Sequence, residues 1–164
     1  SSDVCSSDLA LDQKLQDRPV FCQRVHGSRE KIIAQFKSSK KGVLLGVDSF
    51  WEGVDIVGEA LSCVVIPKLP FPVPTDPLHQ ARMRQIDAEG GRGFMAYMLP
   101  MAILKFRQGI GRLIRSCTDT GATFVLDERL FEKSYGQLFI KELDDYLLCD
   151  GPLPYLLEKA EAFK

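Results

Sequence analysis

The chain has 164 residues, the size of a single domain, with 45% hydrophobic and 26% charged residues, the balance of a folded globular protein rather than a disordered or fibrous one. Lysine plus arginine number 21 and aspartate plus glutamate 22, which excludes a uniformly basic nucleic-acid coat. No run approaches the roughly 18 uninterrupted apolar residues of a membrane span. The first residues also lack the basic-then-apolar order of a secretory signal, so a cytoplasmic chain without membrane contact is expected.

Five cysteines, Cys5, Cys22, Cys63, Cys117 and Cys149, are odd in number and form no CxxC pair. That pattern argues against a disulfide framework or a zinc site and for reduced thiols. The near-neutral charge hides an asymmetry. Between Glu89 and Asp119 stand five bases, Arg92, Lys105, Arg107, Arg112 and Arg115, and no acid, whereas from Asp127 to Lys164 nine acids face five bases. A positive block in a neutral chain is what one anionic-ligand surface needs, although a solvated helix face gives the same pattern.

Residues 1–9, Ser-Ser-Asp-Val-Cys-Ser-Ser-Asp-Leu, repeat a small polar unit without apolar periodicity. They are expected to be disordered or foreign to the domain, and without an initiator methionine the chain reads as a fragment. Val20–Val25 is expected as a strand. Ser28 then caps a helix whose Ile32, Ile33 and Phe36 form an apolar stripe, broken at Lys40-Lys41-Gly42. Val43–Val47 and Cys63–Ile66 read as strands buried on both faces, the second followed by a proline-rich turn from Pro67 to Pro77. Asp76 with Pro77 predicts the cap and first turn of a helix through Glu89. Pro100 opens a helix through Ser116, Thr123–Leu126 is a third buried strand, and Ser134–Tyr146 is a helix. Gly151-Pro152-Leu153-Pro154 sets off a short last helix. The alternation predicts an α/β domain over residues 10–150 with a mostly parallel sheet, followed by a helical tail over 151–164. In such sheets ligands sit beyond the carboxyl ends of the strands, which directs attention to the loops after Val47, Ile66 and Leu126.

Continued at about 100° per residue, the helix from Pro100 places Gln108, Arg112 and Arg115 within about 60° of one another. Ile103, Phe106, Ile110, Leu113 and Ile114 gather opposite. Gly109 and Gly111 each cost roughly 1 kcal/mol against alanine in a helix, so their presence points to something approaching the backbone. Two planar guanidiniums on one face suit phosphate oxygens; the alternative is an amphipathic helix with solvated arginines. The loop Asp48-Ser49-Phe50-Trp51-Glu52-Gly53-Val54-Asp55 combines three carboxylates, a glycine and two aromatics at the expected ligand edge. Its carboxylates suit a ribose hydroxyl, a magnesium-bound water or an arginine, while core packing is the favoured role for Phe50 and Trp51.

Taken together, these segments carry a family resemblance. Asp48 to Asp55 resembles motif V of the DinG/XPD-type superfamily 2 helicases, and Gln108-Gly109-Ile110-Gly111-Arg112-Leu113-Ile114-Arg115 resembles their motif VI, Q-x-x-G-R-x-x-R. The run Leu69-Pro70-Phe71-Pro72 and the strand end Val125-Leu126-Asp127 are similar to the DinG branch. The resemblance spans Val20 to Leu143 and implies a three-layer, RecA-like second motor domain with a P-loop-NTPase-like fold. It implies Arg115 as the arginine finger on the γ-phosphate, with Arg112 and Gln108 beside it. Glu52, Gly53, Asp55 and Gly111 become nucleotide-binding positions, the first three in the segment that couples nucleotide to DNA, and Ser49 faces the nucleic acid. The implied ligands are ATP and Mg2+, held mainly by the first RecA-like motor domain of the same parent, which is itself an implied partner together with single-stranded DNA. An iron–sulfur cluster is implied only outside this chain.

No G-x-x-x-x-G-K-[ST] loop occurs in the sequence, so the chain alone, expected to be monomeric, is expected to be inactive. Asp127-Glu128 imitates a magnesium-binding acid pair but reads as an ordinary strand end. Where motif IV would precede Leu11, the Ser/Asp segment stands instead. Pro70, Pro72 and Pro74 read as a shaped loop in preference to a polyproline ligand, and His26 and His79 have no assigned role. Two other classes stay open: the motor-like domain of a DinG-type exonuclease, and a non-catalytic nucleotide- or nucleic-acid-binding module.

Overall fold

The computed structural model describes residues 15, 17–22, 27–39, 41–46, 61–114 and 120–161. They fall into two compact units, Ser1–Leu61 and Ser62–Lys164, where length alone pointed to one core.

In the first unit β1 (Val20–Cys22) runs parallel to β2 (Val43–Leu45), with Val20 opposite Val43 and Cys22 opposite Leu45. Helix α1 (Arg29–Ser38) connects them. Ser28 caps it as expected: its backbone is extended and its Oγ accepts from the Lys31 N–H at 3.5 Å. Ile32 and Phe36 are buried, with Phe21, Ile33, Leu44 and Leu61 packed around them. Phe21 meets Phe36 edge-on at 6.3 Å between centroids. β2 is half-buried along its length, not buried on both faces, because among the described residues it has a single neighbouring strand. Val47 and the expected continuation of β1 to Val25 lie outside the described residues.

In the second unit β3 (Cys63–Ile66) pairs in parallel with β4 (Ala122–Val125), Cys63 opposite Ala122 and Ile66 opposite Val125. The Leu126 N–H extends this ladder to Ile66 O at 2.9 Å. Here too the expectation of doubly buried strands fails. Successive side chains of β3 point to opposite faces, so Ile66 is fully buried while Val65 is 53% exposed, and β4 is half-buried throughout. The sheet is parallel and the class α/β, as predicted.

Helix α2 (Pro77–Ala88) begins as the sequence requires. Asp76 Oδ1 accepts from the Leu78 and His79 N–H groups at 2.8 and 3.4 Å, and Pro77 sits in the first turn, where its missing donor does no harm. Gly90, at φ +84°, then turns the chain. A π-helical turn, Phe94–Met98, leads without interruption into α3 (Leu99–Ile110). The wide turn lies directly upstream of Pro100, whose ring disfavours an ordinary α-turn behind it.

Helix α3 ends at Ile110, short of the expected Ser116. Gly111 caps it at φ −63°, ψ −4°, and the next bonds tighten to three residues, Arg112 N to Gly109 O and Leu113 N to Ile110 O. The two glycines that flank Ile110 weaken the last turn enough to stop it there. Of the predicted apolar stripe, Phe106, Ile110 and Leu113 are buried while Ile103 and Ile114 are half-buried, and Leu99 and Ala102, outside the predicted set, complete the core face. Each large side chain buried there is worth about 1.5–3 kcal/mol. The helix expected over Ser134–Tyr146 is confined to α5 (Gly136–Lys141), and a short helix not expected, α4 (Arg129–Glu132), precedes it. Gly136 folds so tightly onto α4 that a Cβ there would overlap Leu130 O, and that reversal precludes one continuous helix. Finally α6 (Leu153–Glu161) follows Gly151 and buries none of its residues.

Candidate functional site

The end of α3 collects three of the predicted site residues. Gln108 is half-buried on the last turn, and its Oε1 is buried without a donor among the described residues. A buried acceptor left unpaired costs about 1–3 kcal/mol, so stability does not account for a glutamine here. Thr123 Oγ1 on β4 is in the same position. Gly111 is exposed, and a Cβ on it would meet only Arg107 O at 3.2 Å and Gln108 O at 3.8 Å. Arg112, half-buried, follows in the turn. Thus Gln108, Gly111 and Arg112 share one short segment, but not one continuous helical face, because the helix ends between them. Arg115, which would complete that face, lies outside the described residues, as do Ser49, Glu52, Gly53 and Asp55. Arg107 points away, its side chain 74% exposed and 3.8 Å from Glu142 Oε2, an exposed pair of small energetic weight.

A second assembly, missed in the sequence, closes the carboxyl edge of the sheet. Asp127, just past β4, accepts from the Leu69 N–H at 2.7 Å and from the Arg129 N–H at 3.1 Å. Arg129 Nε donates to its Oδ1 at 2.9 Å, and Nη2 donates to Oδ2. The Arg129 guanidinium, helped by the two N–H groups and opposed by burial, holds the Asp127 carboxyl down to about 2. Arg129 also lies over the Phe71 ring, 5.3 Å from its centroid. Phe71 stacks on Phe94 at 5.6 Å and meets Tyr135 and Phe139 edge-on. Leu69, Pro70 and Pro72 are buried and Pro74 is exposed, so the first two prolines pack as part of the shaped loop expected. The Asp-x-Arg spacing after a strand was the signal available for this tie. With four donors around it, the Asp127 carboxylate has no lone pair left for a metal ion.

The junction of α2 with the π-turn is tied by polar contacts. The Gly93 N–H donates to Asp87 Oδ1 at 2.7 Å, and His79 Nδ1 lies 3.0 Å from Tyr97 Oη. Beside it runs an open cleft of about 340 Å³ that includes Gln80, Arg84, Arg92 and Phe94 in its lining.

Residues 4–146 match the helicase C-terminal domain family. The chain belongs to that family. Over 116 residues it is 44% identical to ATP-dependent DNA helicase YoaA of Haemophilus influenzae, covering 71% of this chain and 18% of that protein. It is 45% identical over 117 residues to 3'-5' exonuclease DinG of Bacillus subtilis, covering 71% and 13%. With ATP-dependent helicase DinG of Mycobacterium tuberculosis the identity is 41% over 128 residues, covering 78% and 19%. The chain therefore spans less than a fifth of the length of these relatives.

This helicase C-terminal domain is of the DinG type of superfamily 2, as motifs V and VI indicated, and its parallel strands and helices are those of the α/β RecA-like class. Among the described residues no three His, Cys, Asp or Glu side chains gather as a metal site. No described helix is long and apolar enough to cross a membrane.

Proposed function

We propose that this chain is the C-terminal motor domain of an ATP-dependent DNA helicase acting in the cytoplasm, and that residues 10–150 form the motor proper, with residues 1–9 and 151–164 outside it. In this reading Arg115 is the finger that neutralises charge on the γ-phosphate, and Arg112 supports it. The observation that carries the reading is Gln108, whose side-chain oxygen is a buried acceptor without a donor among the described residues, three residues ahead of the exposed Gly111. Phosphate oxygens only accept, so they suit the arginines. The Gln108 carbonyl needs an O–H or N–H, such as the attacking water or a ribose hydroxyl. Glu52, Gly53 and Asp55 would face the nucleotide and Ser49 the single-stranded DNA.

The triphosphate and Mg2+ are assigned mainly to the first motor domain of the parent, because this sequence has no phosphate loop and Asp127 is already committed to Arg129 and Leu69. Any iron–sulfur cluster belongs to the parent outside this chain. A second reading draws on the Bacillus subtilis relative, named a 3'-5' exonuclease: there the same domain would serve DNA binding beside a nuclease active site.

The test is made in the full-length parent. Arg115→Lys should fail nearly as badly as Arg115→Ala, because an ammonium lacks the planar two-pronged contact. Turnover should fall by about 10³, a barrier increase of roughly 4 kcal/mol, with much less change in nucleotide affinity. Arg107→Ala should keep most activity. A normal Arg115→Lys enzyme, or equal losses at Arg107 and Arg115, defeats the motor reading.

A further inference from the structure

We infer that the Asp127–Arg129 pair positions the motif VI segment, acting through Phe71 on both ends of the helical run that carries Gln108 and leads into the turn of Arg112. This inference rests on the nucleotide-contact reading above. The Asp127 side chain is 7% exposed and joins two strand ends, accepting from its own neighbour Arg129 and, across 58 residues, from Leu69. Two-pronged pairing fixes the plane of the Arg129 guanidinium, whose central carbon lies over the Phe71 ring, 5.3 Å from its centroid.

From Phe71 the contacts divide. On one side its ring stacks on Phe94 at 5.6 Å and 21°, and Phe94 opens the π-turn. On the other side it meets Phe139 at 5.8 Å, and Phe139 stands perpendicular to Phe106 at 5.3 Å. Phe94 and Phe106 begin and nearly end one uninterrupted helical run, Phe94 through Ile110. Gln108 follows Phe106 by two residues. Aromatic contacts of this kind have preferred geometries, so a shift of Phe71 is passed to both ends of the helix. A partly exposed ion pair adds little to stability, Arg129 being 37% exposed, whereas a misplacement of about 1 Å at a reacting centre is worth about a hundredfold in rate. Positioning is the role in which this pair has the larger effect.

The experiment uses the full-length parent with ATP and single-stranded DNA. Arg129→Lys keeps the charge and loses the fork and the ring stacking; Phe71→Leu keeps the bulk and loses the stacking. Each should lower kcat by about ten- to a hundredfold while leaving KM for ATP within about twofold. In an Arg115→Ala background, Arg129→Lys should lower the single-turnover rate by clearly less than it does with Arg115 present, because the contact that the pair positions is already incomplete. Multiplying losses would show independent action and overturn the inference. So would a normal kcat in both variants, or a fall in melting temperature with kcat per folded molecule unchanged. If Arg129→Lys does not fold, Phe71→Leu decides by the same criteria. If Arg115→Ala itself retains turnover, the nucleotide-contact reading fails and takes this inference with it. If Arg115→Ala is inactive and Arg129→Lys normal, the inference alone fails.

Discussion

Gly93 lies against the backbone of Met83: a Cβ on Gly93 would stand 2.7 Å from Met83 O and 2.8 Å from Met83 Cα. The Gly93 N–H is tied at the same point to Asp87, so α2 and the π-turn meet with no room for a side chain. Backbone atoms cannot yield as a flexible side chain would. Gly93→Ala is therefore expected to destabilise the protein by about 1–3 kcal/mol in urea unfolding. Gly111→Ala provides the contrast, since its Cβ meets Arg107 O at 3.2 Å and its backbone is already right-handed. There the overlap is smaller and partly offset by the gain of replacing a glycine, so the stability change should stay within about 1 kcal/mol and the loss at Gly93 should be the larger. Equal losses at both glycines would contradict the packing described at Gly93.

Asp127 predicts an acid signature. Its carboxyl titrates at about 2 in the fold against an ordinary 3.8. A lowered value in the folded state means that the ionised form is the one the fold prefers. The stabilisation is complete above about pH 4 and disappears as the pH falls through the folded value, a contribution of about 1 kcal/mol or less given the partial exposure of Arg129. Urea midpoints of the wild type and Asp127→Asn should differ by a constant amount near neutrality and converge toward pH 2. A difference that persists undiminished at pH 2 would mean that the loss in Asp127→Asn comes from packing and not from charge.

Local chemistry made much of this fold legible. Ser28 and the Asp76-Pro77 pair each cap a helix at the residue expected, because a cap needs only its own side chain and the next two or three N–H groups. The stripe was readable from period alone, and Phe106, Ile110 and Leu113 of it are buried, while Ile103 and Ile114 at its ends are half-buried. The end of α3 was misread because the apolar period continues through Ile114 while the glycines stop the backbone at Ile110. Asp127 shows the harder case: it looked like a plain strand end, and its role depends on Leu69, a residue 58 positions away. At the candidate site, motif order pointed to Gln108, Gly111 and Arg112, which are neighbours in the sequence itself. It did not disclose that the Gln108 acceptor is buried and unpaired, since burial comes from the tertiary packing around α3.

That unpaired acceptor gives a prediction with opposite signs for stability and activity. Gln108→Met removes the amide while keeping the length of the side chain. If Oε1 is held without a donor in the domain, the substitution should be neutral or stabilising by up to about 1 kcal/mol. In the full-length parent the same substitution should lower ATP turnover, because the carbonyl that would meet the O–H or N–H donor is gone. Clear destabilisation in thermal melting would indicate that the amide has a structural partner and that its selection needs no ligand.

The last prediction concerns the domain by itself. Phosphoryl transfer depends on holding the β- and γ-phosphates and their magnesium ion in line with the attacking water, and an arginine finger acts only on a phosphate already so held. This sequence contains no G-x-x-x-x-G-K-[ST] loop, and the carboxylate of its most plausible metal-binding strand end is saturated by Arg129 and Leu69. On the proposed division of labour the chain would complete a nucleotide site but not build one. Phosphate release by the purified 164-residue protein should stay at buffer background with or without single-stranded DNA. Adding the separately expressed first motor domain of the parent should restore DNA-stimulated release, and Arg115→Ala in this chain should abolish the restoration. Robust turnover by the chain alone would place a complete phosphate site within it, contrary to the division of labour proposed between the two motor domains.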